Sequence, residues 1–346
     1  MTLAAAPPPN RQPLPRRRLG ESGPEVSAIG FGAMPMSEFY GPVDLESCER
    51  TVRRAIDLGV TLFDTAPAFG ALPYGEAANE AFLGRALRGR RDEVVLATKF
   101  GVRLVDRGRI ADNSATHIRR SIDESLRRLG TDHVDLYYMH RRDPGTPIED
   151  SVGAMADLVT AGKVRHLGLS EVTGDTLRRA CKVHQITVVQ SEYSLMSRQI
   201  EYDVLGAAQD LGVGVVAYAP LGRALLTGEP PLDGVENPRD LRSSMPRFRR
   251  PNLRRNLALV HRALPLAEQL GCTIAQLALS WLLAQGEYIV PIPSTRKLRH
   301  LEENLGAFTV QLTPEHLHAL NRIFRPHAVA GERNSPEAIA FMNLGL

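Results

Sequence analysis

Three ionisable side chains close apolar runs in this chain, and each stands where a β-strand would end. Asp64 ends "TLFD", Lys99 ends "VVLATK" and His140 ends "DLYYMH". One charged strand end reads most simply as half of a buried salt bridge. A carboxylate, an ammonium and an imidazole on three strands suit proton transfer instead. The stretch "DTAPAFGALPYGEAANE", residues 64–80, adds two aromatic-glycine pairs, Phe69-Gly70 and Tyr74-Gly75. Tyr74 alone carries a phenol, so the identity of the ring beside the charged trio decides what chemistry is open to it.

The elements that must position these residues alternate along the chain. Apolar β-branched runs such as "SAIGFG", "VTLFDTA", "EVVLATKFG", "HVDLYYMH", "VRHLGLSE", "ITVVQSEY", "GVGVVAYAPLG" and "YIVPIPS" are separated by helical patterns, for example 44–58, 116–129, 148–161 and 200–211. Glycines close several of these, as in "DLGV" and "RLGT", where a helix C-cap calls for them. Eight such units predict an α/β fold of the (β/α)8 TIM-barrel type. A doubly wound dinucleotide fold would show G-x-G-x-x-G after its first strand, and "GFGAMP" does not match. We read 1–15 as a disordered N-terminal tail, 16–325 as one barrel entered through a short hairpin, and 326–346 as a C-terminal tail. Residues 223–252 read as a long Pro/Arg-rich loop after strand seven, too long for a mere connector.

Composition narrows the class. Hydrophobic content of 43% and charged content of 23% are ordinary for a globular chain, and a net charge of +3 does not indicate a nucleic-acid partner. Cys48, Cys181 and Cys272 are far apart with no C-x-x-C spacing, which argues against a zinc site and for a reduced, cytoplasmic setting. No apolar run of membrane-spanning length and no signal-type core is seen.

Taken together, "LFDTA", "ATKFG", "DLYYMHRRDP", "GKVRHLGLSE", "QSEYSLMSR", "AYAPLGRALLTG" and "PIPSTRKLRHLEEN" resemble the aldo-keto reductases, in order and at family-like spacing from about 17 to 323. The resemblance implies a barrel that binds NADP(H) without a Rossmann domain and reduces a small carbonyl substrate through an Asp-Tyr-Lys-His set. In such a set the phenol delivers a proton to the developing alkoxide. A neighbouring ammonium lowers its ordinary pKa near 10, the carboxylate keeps the ammonium charged, and the imidazole orients the carbonyl. Asp64, Lys99 and His140 match residue by residue. The tyrosine does not: counted from the strand, Phe69 holds its position; counted back from Asn79-Glu80, Tyr74 does. We take Tyr74 as the acid, the alternative being a surface Tyr74 with Phe69 lining an apolar pocket.

The same resemblance assigns Met34 and Asp64 to cofactor binding, Ser170 and Gln190 to the nicotinamide carboxamide and Tyr218 to stacking on the nicotinamide ring. Ala219, Pro220, Leu221, Gly222 and Arg223 would run past the pyrophosphate. Ser294, Thr295 and Arg296 would meet the 2′-phosphate, and Glu303 and Asn304 the adenine. A guanidinium fork at Arg296 suits phosphate and so favours NADPH. Other readings stay open: a slow-turnover NADPH-binding sensor subunit, or reduction of a C=C bond if the phenol is absent. A homo-oligomer is compatible with the arginine-rich loop.

Overall fold

Why the β-branched runs become strands is visible in what they bury. In the computed structural model, which describes residues 13–37, 39–70, 77–105, 108–232 and 235–342, they form one sheet of eight parallel strands in sequential order. We number them β1 (Phe31–Gly32), β2 (Leu62–Asp64), β3 (Val95–Phe100), β4 (Val134–Met139), β5 (Val164–Ser170), β6 (Ile186–Glu192), β7 (Gly214–Tyr218) and β8 (Ile289–Pro291). The two edges meet: Gly30 N–H donates to Pro291 O at 2.9 Å and Gly32 N–H to Pro293 O at 3.3 Å. A sequential parallel sheet joined at its edges is a TIM-like barrel.

Alternate strand residues fill the interior, among them Leu62, Ala97, Leu136, Tyr138, Val188, Val216 and Val290. Tyr138 is the large member, and β5 makes room for it with a glycine. A Cβ on Gly168 would lie 2.5 Å from Tyr138 Cδ1. The antiparallel pair Arg16–Arg18 and Glu25–Ser27 brings Leu19 and Val26 into this interior cluster. Among the described residues no single helix is long and apolar enough to cross a membrane.

The helices follow their caps. Asp44 caps α1 (Leu45–Asp57) by accepting from Glu46 N and Ser47 N, and Ser114 caps α3 (Ala115–Leu129), which stops at Gly130 in the left-handed region. The helix expected over 200–211 is divided. Residues Gln199–Tyr202 are a 3-10 turn, and the regular helix Val204–Asp210 begins after Asp203, whose carboxylate instead accepts from Gly174 N at 2.6 Å. Part of 223–252 is also helical: 3-10 turns occupy Leu241–Ser244 and Pro246–Phe248, and a 20-residue helix, Arg250–Gln269, starts inside it. Its arginines and two prolines mask the helical period in the sequence, yet Leu253, Leu257, Val260 and Ala267 still reach the core. The segment after Ile323 docks on this helix, with Asn256 Nδ2 donating to Ala330 O at 3.0 Å and Ala330 N to Asn256 Oδ1 at 2.8 Å. It ends in the helix Pro336–Met342.

Candidate active site

At the C-terminal ends of the strands the inward alternation continues past the apolar layers and delivers polar groups. Asp64 closes β2, Lys99 stands next to last on β3, and His140 follows β4, where its N–H donates to Phe100 O at 2.8 Å. Lys99 Nζ donates to Asp64 Oδ1 at 2.5 Å and to Thr65 O at 2.9 Å; Gln190 Nε2 donates to Asp64 Oδ2 at 2.8 Å. Lys99 is 1% exposed and Asp64 3%. Burial lowers the Lys99 pKa, and the Asp64 carboxylate opposes that fall. His140 is pushed well below its ordinary range by burial first, then by Arg141, Lys99 and Arg109, so it is a neutral imidazole at pH 7.

A supporting layer comes from helix α2 (Ala78–Ala86), whose first turn is buried against the barrel. Thr65 Oγ1 donates to Asn79 Oδ1 at 2.6 Å, and Asn79 Nδ2 donates to Ala33 O and Ser37 Oγ. Glu80 accepts from Thr98 Oγ1 and from Arg128 Nε, both at 2.6 Å. The residues beside Asp64 and Lys99 are therefore held by the Asn79-Glu80 pair. In the sequence that pair served only as a ruler for the loop before it.

Phe69 occupies the corner between lysine and histidine. Its ring centroid is 5.3 Å from Lys99 Nζ, 5.7 Å from the His140 ring and 6.0 Å from the Phe39 ring, edge-on to both rings. Tyr74 lies outside the described residues. Asn79 N–H donates to Phe69 O at 3.2 Å, so the two ends of the segment carrying Tyr74 are held together beside Lys99. Tyr138 puts a second ring 5.4 Å from Lys99 Nζ, but it is fully buried in the barrel interior and burial raises its pKa well above 10.

A cleft of about 730 Å³ opens above this trio, floored by Asp64, Phe69 and His140 and reaching to strand eight. Most of the residues expected to bind the cofactor line it. Met34, Ser170, Gln190 and Tyr218 do so at one end, Ala219, Pro220, Leu221 and Arg223 in the middle, and Ser294, Thr295, Arg296, Glu303 and Asn304 at the other. Lys99 lies beneath its floor, and Gly222 is not among the lining residues. The middle stretch is unusual in its backbone. Ala219, Gly222, Arg223 and Ala224 all have positive φ, and the buried Arg223 Nε has no hydrogen-bond partner. Arg296 is engaged by the segment after strand one. Its Nη1 donates to Pro42 O at 2.7 Å and Gly41 O at 3.2 Å, and its Nη2 to Tyr40 O at 3.0 Å.

Sequence reasoning missed an ionic knot on the far wall. Glu171 and Glu192, after β5 and at the end of β6, are 3% and 2% exposed. Arg333, from the C-terminal segment, makes a two-point pair with Glu171, and Tyr218 Oη donates to Glu171 Oε1 at 2.9 Å. Arg223 and Arg247 approach Glu192 at 3.4 and 3.7 Å. Burial acts to raise the Glu171 pKa, but Arg333 and then Arg141 overcome it and bring it down to about 2. The hint available in the sequence was an acidic residue directly after Ser170. Its partner stands 162 positions away.

The aldo/keto reductase family model matches residues 28–325. Among solved structures, a glycerol dehydrogenase from Gluconobacter oxydans aligns with a TM-score of 0.80 at 30% identity, covering 90% of this chain and 96% of that one. An aldo-keto reductase from Bacillus halodurans in its holo form gives 0.74 at 26% identity, over 95% of this chain and 100% of its own. A thermostable aldo-keto reductase in complex with the inhibitor epalrestat gives 0.70 at 29%, over 90% and 100%.

Proposed function

Because this chain belongs to the aldo/keto reductase family, we propose that it is an NADPH-dependent carbonyl reductase converting a small aldehyde or ketone to the alcohol. The observation that carries the reading is the dry Lys99–Asp64 pair under a cleft that also presents His140 and runs on to strand eight. An ammonium buried at the floor of an open cleft is poorly explained by stability, since buried ion pairs contribute little net. The cleft suits a dinucleotide on two counts. Its lining is continuous from Ser170 to Asn304, and Arg223 offers a buried donor that a phosphate oxygen would satisfy.

Bound NADPH supplies the hydride. With Gln190 Nε2 committed to Asp64, its carbonyl oxygen is left to accept from a carboxamide, and the Ser170 hydroxyl stands beside it. Tyr218, tied by its hydroxyl to Glu171, offers a ring face fixed in orientation. Neutral His140 donates an N–H to the carbonyl oxygen of the substrate. Lys99 places positive charge below that point, where negative charge develops. The Tyr74 phenol delivers the proton to the same oxygen. It stands five positions after Phe69, a tether of up to ~17 Å, which allows its hydroxyl to return to the lysine.

The position of Phe69 favours a second reading, because a ring without a hydroxyl already fills the corner between Lys99 and His140. In that case the proton comes from water, directly or relayed through His140, and slow turnover or reduction of an activated C=C bond follows. Stopped-flow oxidation of NADPH with aldehydes, ketones and enones separates the two. Fast single turnovers with aldehydes support the first reading; turnover confined to enones, or none, supports the second.

A further inference from the structure

The adenine end of the cleft carries its own anion. Lys297, Arg299 and His300 stand at the start of the helix Leu298–Leu305 after strand eight and line the cleft, the place where a 2′-phosphate would sit under the NADPH reading. Glu229, from the loop after strand seven, lines the same corner and is paired there with Arg299 through a short hydrogen bond. Lys297 Nζ is 3.7 Å and His300 Nε2 3.9 Å from its other oxygen. The loop supports this placement locally: Glu229 N–H donates to Thr227 Oγ1 at 3.2 Å, which donates to Ala224 O at 2.9 Å.

We propose that Glu229 is a specificity-determining residue for the cofactor, an internal stand-in for the 2′-phosphate that the phosphate must displace. The proposal rests on the NADPH reading above. A carboxylate and a phosphate of about −1.5 to −2 charge cannot share two cations at one corner without strong repulsion. Binding a 2′-phosphate therefore breaks the Glu229 contacts and frees the loop, whereas a nucleotide with a plain 2′-hydroxyl leaves them in place. Such an exchange is feasible because the pair is open to water. Side chains of Glu229 and Arg299 are 55% and 62% exposed, a setting in which one ion pair is worth little and is screened by salt.

The test is titration calorimetry of the full chain and of Glu229→Gln with 2′,5′-ADP and with 5′-AMP, and fluorescence titration with NADPH and NADH. Expected in Glu229→Gln is about 3- to 10-fold tighter binding of 2′,5′-ADP and NADPH, with 5′-AMP and NADH within about twofold. An unchanged ratio between the two nucleotides overturns the proposal. So does weaker 2′,5′-ADP binding, which would make Glu229 a support for Arg299 instead of a competitor. If the unmutated chain binds NADH as tightly as NADPH, the NADPH preference fails by itself, and the change of ratio on Glu229→Gln still decides the role of Glu229. If neither nucleotide binds either form, both fall.

Discussion

The two ends of one cleft use the same charges to opposite effect. At the strand-two to strand-six end, Lys99, Asp64, Glu171 and Glu192 are each at most 3% exposed, and every pairing is backed by further hydrogen bonds. At the strand-eight end, Lys297, Arg299 and Glu229 all have more than half of their side-chain surface in water. Charge out of water cannot be left unpaired, so it holds groups in place; charge in water exchanges partners at little cost. On the proposed reading, the buried end orients a reaction and the exposed end admits and releases a ligand.

The sharpest way to break this contrast is Lys99→Met. If the buried lysine orients chemistry, turnover should fall about 10³-fold or more while NADPH still binds, a loss of ~4 kcal/mol in transition-state stabilisation. If it is structural only, the variant should lose stability by about 3–5 kcal/mol with no separate catalytic loss, as thermal melts alongside single-turnover rates would show.

Next in size is the Glu171–Arg333 clasp. The folded-state pKa of Glu171, about 2, lies below the ordinary 4.5, so its stabilisation is fully present above pH 4.5 and is lost as pH falls toward 2. It amounts to roughly 3 kcal/mol. Urea unfolding of Glu171→Gln at pH 7 and pH 3 should show a flatter pH dependence than the unmutated chain. An identical dependence would remove Glu171 as its source.

Tyr74→Phe comes third, with an expected loss of about 10²-fold in kcat for carbonyl reduction, near 2.7 kcal/mol, and unchanged NADPH affinity. A silent Tyr74→Phe with a gain on Phe69→Tyr would instead assign the donor's place to position 69, beside Lys99. The smallest effect belongs to the exposed end. Arg296→Ala should reduce the preference for NADPH over NADH by about tenfold, ~1.4 kcal/mol, measured as a ratio of dissociation constants. No change would mean that its three carbonyl contacts along 40–42 are its whole role.

What the sequence determined by itself was the part written in local repetition. Continuous apolar, β-branched runs alternating with capped helices specify a parallel barrel, because a strand apolar on both faces has to be covered on both. A polar residue at the end of such a run then falls at the mouth, which is why Asp64, Lys99, His140, Ser170 and Gln190 were legible. Tertiary structure decided the rest, for physical reasons tied to particular residues. The helix Arg250–Gln269 opens on an arginine-rich turn and carries two prolines, and it owes its order to packing against the barrel and the C-terminal segment. The contact of the Phe69 ring with Lys99 could not be counted from either end of a loop with an insertion, since it depends on how the chain turns after Asp64. Arg333 meeting Glu171, and Glu229 meeting Arg299, join residues 162 and 70 positions apart. Electrostatic pairing acts through space and leaves no period along the chain, so only the fold could bring those partners together.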